Sequence, residues 1–168
     1  MISTVSTPDH PPPASDTPGR VIPNRDAALR ATLHAQVAEI PATEAENAGW
    51  EQLAMPAMLA ELGLSQAPPV GWFVAAVSPL YDKAEADGWR YCHMSTNANE
   101  PDLLGIAFGG DEPEVWLRAD MSLPRTIRTL GHELFHLAEF ARGEPVDEHA
   151  ADEFGATAAA RFWQSQYR

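Results

Sequence analysis

His132-Glu133-Leu134-Phe135-His136 lies inside an apolar-periodic segment, Ile127 to Ala141, that reads as one α-helix. Each helical residue turns the chain by about 100°, so His132 and His136 sit one turn apart on one face and can both offer a ring nitrogen to a single cation. Glu133 projects from a neighbouring angle, in reach of a water held by that cation without binding the cation itself. Ile127, Leu130, Leu134, Leu137 and Ala141 form a core stripe, whereas His132, His136 and Phe140 fall on roughly the opposite side. The imidazoles therefore do not simply interrupt a core face. The ends are legible too: Ser122 or Asp120 can cap the helix, Pro124 suits its first turn, and Arg142 favours its negative end.

A hydrolytic metal site needs a third protein ligand and one open position. Just downstream, Gly143-Glu144-Pro145 breaks the chain, and Asp147 is placed to cap a second helix through Glu148, Asp152 and Ala158 toward Phe162. Glu148 and Asp152 share one face of it. That spacing lets Glu148 join the metal while Asp152 accepts a hydrogen bond from a liganding histidine and fixes its tautomer. His149, Asp147 and Glu153 compete for the third position. Phe154, Ala158 and Phe162 space this helix for packing, so the expectation is two antiparallel helices with the metal between them.

Thr129-Leu130-Gly131-His132-Glu133-Leu134-Phe135-His136, followed by Glu148-His149-Ala150-Ala151-Asp152-Glu153-Phe154-Gly155, resembles the gluzincin metallopeptidases. The match looks closest to the ImmA/IrrE-type and minimal HtpX-like branches, and it covers about Val115 to Phe162. It implies Glu148 as the third ligand and Glu133 as the catalytic base. Phe135 stands where those families usually carry a small residue, and the link between the two helices is short. The fold expected is a small α+β, zincin-like domain. In it a short, mainly antiparallel sheet packs on the active-site helix, a C-terminal helix bears the third ligand, and N-terminal helices come first.

The 168 residues suit one domain, and 45% hydrophobic content can bury a modest core. A net charge of -13 disfavours phosphate backbones and anionic membranes, so neither nucleic acid nor membrane is an expected partner. Cys92, the one cysteine, cannot form an intramolecular disulfide, which fits a reducing cytoplasm. It reads as a structural cysteine, with masking or extra ligation of the metal as its alternatives. Met1-Ile2-Ser3-Thr4-Val5 has no signal-peptide character, and no segment is long enough to span a bilayer.

Residues 1–23 are rich in Pro, Ser, Thr and Asp and read as a flexible tail, with His10 solvated; residues 24–168 form the single domain. A helix is expected from Asn24 to Ile40 on Leu29, Leu33, Val37 and Ile40, stopped by Pro41. A second runs near Glu44 to Leu62, with Pro56 as a kink or a new first turn and Trp50 and Met58 as core. Strands follow at Gly71 to Val77, which could equally be a short buried helix, and at Trp89 to Met94, Leu103 to Phe108 and Glu114 to Arg118, the last after the turn Gly109 to Pro113. Leu103 to Phe108 or Val115 to Arg118 is a candidate edge strand for pairing with an extended peptide, an interior position being the alternative.

The function expected is zinc-dependent hydrolysis of a peptide bond. His132, His136 and Glu148 hold Zn2+, Glu133 is general base to the activated water, and Asp152 supports a ligand. The substrate is a protein or peptide, and the resemblance points to a specific regulator. Tyr91, His93, His149, Tyr167 and Arg142 are all conceivable oxyanion donors, and none is assigned. The competing expectation is a non-catalytic regulatory or adaptor protein stabilised by zinc, for which His149 or Cys92 would close the site.

Overall fold

The computed structural model describes residues 37–75, 92–94 and 103–168. The expected tail, the helix over residues 24–36, and Tyr91 lie outside these residues. Along the chain come β1 (Val37–Ile40), a short 3-10 turn (Ala42–Glu44), α1 (Trp50–Leu62), β2 (Val70–Ala75), β3 (Cys92–Met94), β4 (Leu103–Phe108), β5 (Glu114–Arg118), α2 (Leu123–Arg142) and α3 (Glu148–Gln166).

The strands form one sheet in the order β1-β2-β5-β4-β3. Only β2 and β5 pair in parallel; β1 with β2, β3 with β4 and β4 with β5 are antiparallel. This is the mixed, mainly antiparallel α+β arrangement expected. It corrects one expectation and decides a second that was open between edge and interior. Val37–Ile40 is a strand and not the end of a helix, because its backbone bonds are taken by β2 in the register Val37↔Ala75 to Ile40↔Trp72. Neither candidate edge strand is at an edge: β5 lies between β2 and β4, and β4 between β5 and β3. Among the described residues the edges are β1 and β3.

α2 lies across the helix-facing side of the sheet. Ile127, Leu130, Leu134 and Leu137 bury there with Trp72, Ala107, Val115 and Leu117, and Met55, Met58 and Leu59 of α1 and Ala158, Ala159 and Phe162 of α3 complete the cluster. Ala141, expected in the stripe, is exposed, since it falls in the last turn beyond the sheet. The far face of the sheet buries Phe73, Leu104, Ile106, Phe108 and Trp116, so the central strands are apolar on both sides.

Local chemistry sets the helix ends. α1 runs through Pro56 without restarting, on an exposed side of the helix, so Pro56 is not a new first turn. Trp50 packs edge-on against Phe162 with centroids 6.3 Å apart, and buried Met58 joins the core, both as expected. Asn47 donates to Met121 O at 2.6 Å and Thr126 Oγ1 at 3.2 Å, tying the approach to α1 to the start of α2. Ser122 is the N-cap of α2, with Pro124 in its first turn, while the Asp120 carboxylate accepts instead from Arg118. Gly143, at φ 64°, ends α2: its N–H reaches Phe140 O at 3.1 Å and that of Glu144 reaches Glu139 O at 2.9 Å, a Schellman closure.

Candidate metal centre

A short link turns the chain from Gly143 into α3, where the Asp147 carboxylate accepts from Ala150 N–H at 2.9 Å as N-cap. Glu148 is thereby the first residue of α3, with Asp152 one turn on. The cross-helix contacts pair His136 with Glu148, His132 with Asp152 and Gly131 with Gly155. Position falls along α2 as it rises along α3, so the two helices run antiparallel. They touch through backbone: a Cβ added at Gly155 would lie 2.6 Å from Arg128 O, and one added at Gly131 would lie 2.9 Å from Gly155 Cα.

Three groups meet where the helices face each other. His132 Nε2 and His136 Nε2 are 3.0 Å apart. Glu148 Oε2 lies 3.2 Å from the first and Oε1 3.3 Å from the second. With zinc–ligand bonds of about 2.0–2.1 Å, tetrahedral ligand atoms stand about 3.3 Å apart, close to all three separations. His132, His136 and Glu148 are a group that could hold a metal ion.

The outer nitrogens explain why the inner ones are available. His132 Nδ1 donates to Asp152 Oδ1 at 3.0 Å, and His136 Nδ1 donates to Glu139 Oε2 at 2.8 Å. Carboxylates only accept, so each Nδ1 carries the proton, and in a neutral imidazole held this way Nε2 turns its lone pair inward. Two such nitrogens and a carboxylate converging on one point call for positive charge there, supplied by a metal ion or by protons on Nε2. The titration of the group expresses the same demand. Burial pulls both imidazoles toward neutrality, but for His132 the bond to Glu148 and the charge of Glu133 outweigh it, so its pKa is raised. Bonds to Glu139 and Glu148 push His136 up to about 10, and Glu148, despite its own desolvation, is drawn down to about 2 by bonding to the two histidines.

Glu133 is fully buried, on the side of α2 that meets β4. Gly105 makes that approach possible, because a Cβ there would lie 2.7 Å from Thr129 Cγ2 and 2.8 Å from Glu133 Oε1. The two histidines and Glu133 are closed off, whereas the side chains of Glu148 and Asp152 are 44% and 41% exposed. The centre is thus sealed by the sheet on one side and open toward solvent at the start of α3.

The competing ligands are not in the group. Asp147 caps the helix, and His149 is exposed and pairs with Glu153 at 3.5 Å. Of the conceivable oxyanion donors, Arg142 pairs with Glu144 at 2.9 Å and Tyr167 is exposed at the C-terminal end of α3. The side chains of Cys92 and His93 lie outside the described residues. Phe135, the bulky departure from the resembled pattern, packs on Phe154 of α3 with centroids 5.7 Å apart. Glu139 went unread in the sequence, although its place three residues after His136 puts it within reach of Nδ1. No known protein family, curated protein or solved structure matches this chain.

Proposed function

We propose that the chain is a zinc-dependent metallopeptidase of the gluzincin type, acting on a protein substrate. One observation carries the reading: His132 Nε2, His136 Nε2 and the Glu148 carboxylate face one point while carboxylates hold both Nδ1 atoms. A two-imidazole, one-carboxylate donor set suits zinc. Zinc, when bound, polarises a carbonyl and acidifies water. Glu133 takes the proton from the attacking water on its carboxylate and returns it to the leaving amine. The two histidines, held by Asp152 and Glu139, keep their orientation throughout, and the half-exposed Glu148 side gives water and substrate an approach.

A specific regulator is the protein substrate this reading favours, with the cytoplasm as its compartment and neither nucleic acid nor membrane as a partner. Among the described residues no helix is long and apolar enough to cross a membrane. A non-catalytic, zinc-stabilised adaptor is the second reading, and the complete burial of Glu133 beneath β4 is what favours it. The Glu133→Gln variant separates the two. For the peptidase, it keeps wild-type zinc content and loses cleavage of unfolded or partner proteins, read by mass spectrometry. Cleavage at the wild-type rate would remove Glu133 from its role, and zinc binding by the wild type without any cleavage would favour the adaptor.

A further inference from the structure

Glu139 is 2% exposed, and its two oxygens serve two different elements. Oε2 accepts from His136 Nδ1 at 2.8 Å, and Oε1 accepts from the backbone N–H of Asp147, the N-cap of α3, at 2.7 Å. We propose that Glu139 is a positioning residue that commits His136 to the tautomer with its Nε2 lone pair facing the metal and couples that commitment to the start of α3, where Glu148 is delivered. This rests on the metal reading of His132, His136 and Glu148 and is independent of the peptide chemistry.

The chemistry of one substitution isolates the role. Glutamine keeps the size of Glu139 but has a single acceptor oxygen. Without metal it remakes both bonds, its oxygen on Asp147 N–H and its amide hydrogen on His136 Nδ1, once the imidazole carries its proton on Nε2. With metal, Nε2 must be bare and Nδ1 must donate, so one of the two contacts sets donor against donor. Glu139→Gln therefore penalises the metal-loaded state selectively. Asp152 differs because its side chain is 41% exposed and its tie to the centre is the contact with His132 Nδ1, which the oxygen of an asparagine can also accept.

The test compares the full-length wild type, Glu139→Gln and Asp152→Asn by zinc affinity, measured by chelator competition, and by thermal unfolding in excess chelator. Glu139→Gln is expected to bind zinc roughly 10–100-fold more weakly at an unchanged metal-free midpoint, with a smaller loss in Asp152→Asn. Wild-type affinity in Glu139→Gln overturns the inference, as does a loss seen only together with a lowered metal-free midpoint. A wild type that binds no zinc would instead remove the metal reading on which it stands. Nitrogen-15 spectra of the zinc-loaded wild type give a check that needs no variant: His136 should carry its proton on Nδ1, and a proton on Nε2 would sink the proposal.

Discussion

The two sides of α2 are built on opposite principles. Toward the sheet, Ile127, Leu130, Leu134 and Leu137 bury against Trp72, Ala107, Val115 and Leu117, and burial alone holds them. Toward α3, the same helix presents His132, His136 and Glu139, and its contact there depends on hydrogen bonds, backbone-close glycines and the charge balance of the centre. The first side should be indifferent to metal, and the second should respond to it.

Leu134→Ala tests the first side with the largest expected cost, about 2–5 kcal/mol of stability for a fully buried leucine. The loss in denaturant unfolding should be the same with zinc and with chelator; a loss that depends on metal would show that the two sides are not separable. On the second side, Glu148→Ala should abolish zinc binding in metal analysis. Zinc at a hundred times its dissociation constant should stabilise the wild type by about 2.7 kcal/mol and leave Glu148→Ala unmoved. Equal stabilisation of both would place the metal elsewhere. Gly155→Ala is the smallest perturbation. The added methyl meets Arg128 O and must push the helices apart, costing about 1–3 kcal/mol, from which up to about 1 kcal/mol of better helix propensity is recovered. Zinc affinity should fall with it, and an unchanged affinity would mean that the crossing distance does not set the ligand geometry.

What was legible in the sequence follows the range of the interaction that fixes it. β4 and β5 read at their observed bounds because the turn Gly109 to Pro113 separates two apolar runs. α2 and α3 read from local signals, namely Ser122, Pro124, Gly143 and the Asp147 cap. Val37–Ile40 misread because Leu29, Leu33, Val37 and Ile40 share helical spacing, and a four-residue strand is too short to show alternation against it. Which strand lies at an edge, and that β2 pairs in parallel with β5, are products of long-range pairing that no window of sequence contains. In the centre, helix geometry made the pairing of His132 with His136 and of Glu148 with Asp152 readable, while the gluzincin resemblance set Glu148 ahead of His149, Asp147 and Glu153 as the third ligand. Glu139 was not readable, because an acidic residue near the end of a helix usually reads as solvated, and only the fold buries it between His136 and Asp147.

The tight link from Gly143 to Asp147 has a bearing on how the centre arises. The three residues that could hold a metal ion and the two carboxylates behind the imidazoles fall between residues 132 and 152, on one helical hairpin, so little loop entropy opposes their meeting. Contacts so near in the chain form early as a rule, ahead of strand pairings that join distant segments. The nascent hairpin can thus gather these side chains before the sheet has finished closing behind it.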